Sequence, residues 1–189
     1  MHIPRTGGQS IEAFFGQTSD AEKSGKNRIK HFRLDQYLDL DETARSYFKF
    51  TFVRNTWDLM VSVWLFITTH PTVSRNFRGL TLVEFLSDDF PSKLQKVIED
   101  KSRWDFALVN ILRHSQLYWI DERLDLVGRF ENLEGDFRKI GDRVGMEHAI
   151  LPHNNRTQRS HYHHYYDNQT REIVRNRYAG EIERFGFEF

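Results

Sequence analysis

Two short segments of the chain carry residues able to hold anions. The first is His2-Ile3-Pro4-Arg5-Thr6-Gly7-Gly8-Gln9-Ser10-Ile11. It reads as a strand end, a tight glycine turn and a helix start, where backbone N–H groups and the helix dipole make a site for a phosphate. The second runs Phe52-Val53-Arg54-Asn55-Thr56-Trp57-Asp58 and on to Ser62. It reads as a buried strand delivering Arg54, then a helix carrying Ser62 in its second turn. An arginine at a strand end can fork onto a phosphate, and a serine at that helical position can reach the same anion. Two anion sites on neighbouring strand ends suit a nucleotide with phosphates at both ends. A nucleotide-hydrolysing P-loop, by contrast, needs a Gly-Lys-Ser/Thr ending. Here Gln9-Ser10 follow the glycine pair, and the nearby long cation, Arg5, precedes it.

These residues need strands and helices to position them. Met1 to Pro4 is expected to close a strand, Gly7 and Gly8 to make the turn, and Ser10 to Phe15 to open a helix. Residues 16–27 turn small and polar and read as a surface loop. Leu34 to Leu40 suggests a short helix. Tyr47 to Val53 alternates aromatic and polar residues and reads as a central strand. Trp57, Val61, Trp64 and Leu65 recur at helical spacing, giving a helix over 57–69 that His70-Pro71 ends. Thr81 to Leu86 and Leu94 to Ile98 read as short helices with Pro91 as punctuation between them. Leu124 to Phe130 is a second strand, and Leu133, Phe137, Ile140 and Val144 mark an amphipathic helix behind it. Residues 152–160 form a polar loop. Val174, Tyr178, Ile182 and Phe185 belong to a last helix capped by Asp167 or Asn168. Strands alternating with helices mean an α/β fold with a mainly parallel sheet and a site at the strand carboxyl ends.

At 189 residues the chain reads as one domain, 1–189, large enough for a substantial core. Its 27 basic and 27 acidic residues cancel, which argues against a general nucleic-acid or polyanion binder. No cysteine is present, so disulfides and thiolate metal sites are excluded. No apolar run is long enough to span a bilayer and no signal-peptide pattern opens the chain, so a soluble, cytoplasmic protein is expected.

Cation first, glycines next and hydroxyl last is the order of the 5′-phosphosulfate loop of sulfotransferases, and Pro4 to Ser10 closely resembles its Pro-Lys-Thr-Gly-Gly-Thr-Ser form. Arg54 and Ser62 match the 3′-phosphate Arg…Ser pair of the same family, in a segment similar to Phe-Val-Arg-Asn-Pro-Trp-Asp-Arg-Leu-Val-Ser. Val127 to Leu133, and the stretch from Tyr165-Tyr166-Asp167 to Phe185-Gly186-Phe187-Glu188-Phe189, look like later landmarks of the family. The resemblance points to the branch holding Golgi carbohydrate sulfotransferases, such as heparan sulfate 2-O-sulfotransferase, and bacterial members. It implies a P-loop NTPase-like fold, a three-layer sandwich around the sheet. It also implies transfer of a sulfuryl group from 3′-phosphoadenosine 5′-phosphosulfate (PAPS), leaving adenosine 3′,5′-bisphosphate, to a hydroxyl of a carbohydrate or small-molecule acceptor, with no metal.

On that resemblance Thr6, Gly7, Gly8, Gln9 and Ser10 cradle the 5′-phosphate, and Arg5 sits near the bridging oxygen where the family normally has lysine. Arginine can stabilise the anionic leaving group but is a poor general acid. Thr56 replaces the usual proline. Arg156, in the 153–156 loop, is a further candidate for the 3′-phosphate or the acceptor. The acceptor must lose a proton, and of nine histidines His31, shortly before the central strand, holds the place of the family's catalytic histidine, with His114 second. His161, His163 and His164 lack the spacing of a closed metal site. Trp104, Tyr118 and Trp119 could stack on a sugar or belong to the core. The alternative function is a nucleotide-binding P-loop-like protein, either kinase- or NTPase-like or a sulfotransferase homologue with little turnover.

Overall fold

The computed structural model describes residues 1–15, 31–71, 73–99, 106–146, 150–152 and 159–189. The polar loop expected over 16–27, Trp104 and Arg156 with the rest of 153–158 lie outside the described residues. The chain divides into two compact units, 1–54 with 118–157, and 55–117 with 158–189.

The first unit is α/β. Helix α1 (Gly8–Phe14) follows the glycine turn, and α2 (Leu34–Leu40) follows the extended Arg33. Strand β1 (Phe50–Val53) pairs in parallel with β2 (Leu126–Arg129), Phe50 opposite Leu126 and Val53 opposite Arg129. β1 starts later than its alternating pattern suggests. Lys49 already uses its N–H on the Asp125 carboxylate (2.6 Å), and its carbonyl accepts from Asp125 and Leu126.

Met1 to Pro4, expected as a strand end, forms no ladder. A single bond from the Met1 nitrogen to the Phe50 carbonyl (3.2 Å) ties that segment beside β1. After β2 the chain makes one 3₁₀ turn and enters α3 (Leu133–Val144). The i, i+4, i+7 stripe of that helix was legible in sequence, and Phe137 and Ile140 pack with Phe52 and Leu151 in a core flanked by Ile11, Phe14 and Leu133. Asp136 on α3 accepts from the Arg129 backbone N–H (2.8 Å), Asn132 (3.1 Å) and Lys139 (2.7 Å), which fastens the end of β2 to the helix.

The second unit is helical. Its first helix, α4 (Thr56–Thr69), is capped by the Asn55 side chain, which accepts from the N–H groups of Trp57 and Asp58. Eight of its residues, Ser62 among them, are buried, as a helix with little polar surface must be. α5 (Leu82–Phe85) carries a Thr81–Glu84 capping box. α6 (Phe90–Glu99) takes Pro91 into its first turn rather than starting after it. A missing N–H costs nothing there. α7 (Phe106–His114) follows.

The single last helix expected from sequence is two, α8 (Asn168–Arg177), with Asp167 and Thr170 forming its capping box, and α9 (Ala179–Phe185). Tyr178 leaves helical geometry (φ −109°, ψ 24°) while its hydroxyl donates to the Leu112 carbonyl (3.2 Å), and the weak helix former Gly180 follows. No described helix is long and apolar enough to cross a membrane.

Candidate functional site

In the first unit the glycine turn is held from three sides. Arg5 adopts a left-handed backbone (φ 66°), unusual for a residue with a Cβ, and Gly7 does the same (φ 90°). Thr6, buried to 1% exposure, donates its hydroxyl to the Ile3 carbonyl (2.8 Å). That side chain therefore braces the turn, and its backbone is what remains for a ligand. The Ser10 N–H closes onto the Gly7 carbonyl (3.1 Å), starting α1 with Gln9 exposed and Ser10 buried.

Arg54 leaves the end of β1 and reaches the same turn. Its Nη1 donates to the Arg5 carbonyl (2.8 Å), and its guanidinium lies 4.0 Å over the Phe130 ring. At 7% exposure this cation is nearly withdrawn from water, so its charge acts in a low-dielectric setting. The sequence-predicted loop Arg5 to Ser10 and Arg54 are thus brought together within one unit. Phe130, and Leu133, whose terminal carbons would lie 2.8 and 3.2 Å from a Cβ at Gly7, were not singled out as site residues from sequence. The signal was available in their position just after β2, the counterpart of Arg54 after β1.

His31 also joins this group. Its Nδ1 lies 2.8 Å from the His2 carbonyl, and its ring centroid is 4.7 Å from that of His2. The Trp119 indole donates to the His31 carbonyl (2.8 Å), so Trp119, 1% exposed, is a buried brace rather than a stacking surface. Tyr118 lies beneath the Arg33 guanidinium at 5.0 Å. His2 itself had no assigned role in sequence, yet its ring lies against Gly8 closely enough that a Cβ there would come within 2.0 Å of it.

The second unit holds Ser62, 4% exposed in the buried helix α4, and His114, exposed at the end of α7. His161, His163 and His164 lie in or beside the 162–165 turn, with His163 stacked on Phe189 at 4.5 Å. Partial desolvation, then the neighbouring His161, His164 and Arg171, hold the His163 imidazole below its ordinary value. Among the described residues no group of three His, Asp or Glu side chains converges on a metal position.

A buried carboxylate that sequence reasoning did not single out organises this unit. Glu181, 1% exposed, accepts from the Thr56 hydroxyl (2.6 Å), the Gln116 N–H (2.8 Å) and the Gln116 amide (3.2 Å). Burial raises its pKa above the ordinary 4.5 in spite of those bonds. The folded protein therefore binds this proton more readily than the unfolded chain, so the stabilisation is complete below 4.5 and is lost as pH rises through the folded value. Glu181→Gln is expected to remove that slope, so that the difference in Tm between variant and parent changes across this window and is flat on either side. Thermal melts from pH 4 to pH 8 check it.

The model of the sulfotransferase family matches residues 1–188, which takes in the glycine turn, both strands and the last helix. No curated protein and no solved structure matches the chain. Matched over nearly its whole length, the chain belongs to the sulfotransferase family, transferases that move a sulfuryl group to an acceptor.

Proposed function

We propose that the protein transfers the sulfuryl group of PAPS to a hydroxyl of a carbohydrate or small-molecule acceptor, and that residues 1–189 work as a single sulfotransferase domain. One observation carries this reading. Arg54, from the end of β1, is anchored on the carbonyl of Arg5 inside the glycine turn, so two cation-bearing segments meet at the start of a helix. A donor with phosphates at both ends asks for such a donor set.

The backbone N–H groups of Gly7, Gly8 and Gln9 and the Ser10 hydroxyl would hold the 5′-phosphate, with Thr6 fixing the turn. Arg54 would fork onto the 3′-phosphate, with Ser62 assigned there by its eight-residue spacing from Arg54 and Arg156 as a further contact. PAPS supplies the sulfuryl group and a phosphate leaving group. Arg5 would neutralise charge gathering on that leaving oxygen, as a permanent cation and not as a proton donor. His31 takes the proton of the acceptor hydroxyl as the new O–S bond forms and the old S–O bond breaks.

Calorimetric titration with adenosine 3′,5′-bisphosphate, beside ATP with Mg²⁺, tests the donor assignment. Binding of the bisphosphate supports it, and binding of ATP–Mg²⁺ alone moves the protein to the kinase or NTPase class. His31→Ala is expected to lower kcat by roughly 10²–10⁴, the usual contribution of a positioned base, while leaving bisphosphate affinity within about twofold. Loss of nucleotide binding in that variant would remove His31 from the base role.

A further inference from the structure

His2 touches both the start of α1 and His31. Its imidazole lies on α1 where that helix begins: a Cβ at Gly8 would come within 2.0 to 2.2 Å of Nε2, Cδ2 and Cε1. Its Nδ1 is buried without a hydrogen bond, and the Glu12 carboxylate on the next turn of α1 lies 3.4 Å away, at ion-pair distance. Its backbone carbonyl lies 2.8 Å from His31 Nδ1.

A carbonyl oxygen can only accept, so the nitrogen facing it must carry the hydrogen. The contact therefore selects the Nδ1–H tautomer of neutral His31 and leaves the proton-accepting lone pair on Nε2. Free imidazole side chains in water favour the opposite tautomer, with the hydrogen on Nε2, which is useless as a base at that atom. Which nitrogen of a histidine can act is set by the bond the other one makes.

We propose that His2 is a positioning residue: its ring, seated on Gly8 and facing Glu12, fixes the carbonyl that holds His31 with Nε2 as the basic atom. The catalytic part of this rests on the reading of His31 as the base. The tautomer itself does not. One segment thus locks the phosphate turn and the base to a common geometry, so donor and acceptor chemistry share one reference point.

Ring ¹H–¹⁵N correlation spectra of the uniformly labelled full chain, above the titration of His31, test this directly. His31 is expected to show a protonated Nδ1 and a bare Nε2. In His2→Ala the same signals should move toward the Nε2–H form, and kcat should fall roughly tenfold, part of what a positioned base contributes. That loss should shrink to less than about twofold in a His31→Ala background, because a residue acting through another has nothing left to act on.

A wild-type His31 with its hydrogen on Nε2 overturns the proposal, and so does an equal loss of kcat from His2→Ala in both backgrounds. Should His2→Ala fail to fold, Glu12→Gln removes the charge facing the ring and leaves the ring in place. A smaller shift of the same His31 signals supports the anchoring, and an unchanged spectrum overturns it. If the wild type transfers no sulfuryl group, the functional reading falls, and the ring spectrum alone decides the role of His2.

Discussion

Arg54→Ala is expected to weaken binding of adenosine 3′,5′-bisphosphate by about 100-fold or more, read by calorimetry. Hydrogen bonds to a charged partner are each worth about 1.5–3 kcal/mol, and every 1.4 kcal/mol is about tenfold in affinity. The arginine is 7% exposed, so its charge is poorly screened, and removing it withdraws a fork with no solvent substitute. It also leaves the Arg5 carbonyl, in a strained left-handed residue, without the donor that faces it at 2.8 Å. Arg54→Lys should recover little, because a single ammonium cannot hold the carbonyl, lie flat on Phe130 and present a fork at once. Salt dependence provides the control: the parent should lose affinity between low and high ionic strength more steeply than the alanine variant.

Gly7→Ala carries the second large effect, because two penalties fall on one methyl group. The backbone at φ 90° lies where an L-residue costs about 1–2 kcal/mol. The added Cβ would also stand 2.8 Å from one terminal carbon of Leu133 and 3.2 Å from the other, overpacking of a kind that costs about 1–3 kcal/mol. Together these correspond to a Tm lower by roughly 10 °C for a chain of this size. Bisphosphate binding should fall with it, since the turn cannot keep its shape. Leu133→Ala should cost less stability in the Gly7→Ala chain than in the parent, because it also relieves the clash, while the backbone strain stays. A Tm for Gly7→Ala within 2 °C of the parent would mean that the turn tolerates a side chain, and the loop geometry described above would be wrong.

The elements legible in sequence were those whose signals are local. The spacing of Leu133, Phe137 and Ile140 gave α3, because one face of a helix must meet a core. Leu34 to Leu40 proved helical over that whole span. Asp167 named its own cap through Thr170. The glycine turn and the strand that ends before Arg54 could be read because Gly7-Gly8 and the run Phe50 to Val53 mark them in residue type and order. Where signals depended on partners, sequence reasoning misplaced them. Met1 to Pro4 has the composition of a strand, yet a strand exists only through a ladder, and one bond to Phe50 does not make one. Tyr178 fits the helical stripe, but its ring, 3% exposed, and its hydroxyl bond to Leu112 take the backbone out of the helix at that point.

By itself the sequence determined the family and the order of glycine turn, helices and the two paired strands. Those follow from chemistry confined to neighbours along the chain. Tertiary structure alone decided that Arg54 grips the carbonyl of Arg5, that Phe130 lies beneath it, that Glu181 receives Thr56 and Gln116 in the dark of the helical unit, and that His2 stands between Gly8 and His31. Each of these joins residues that chain order separates, by 49 positions for Arg5 and Arg54 and by 125 for Thr56 and Glu181. No periodicity spans such distances. Burial selects these pairs, because a polar group taken out of water must find its partner among the side chains and backbone that fold against it.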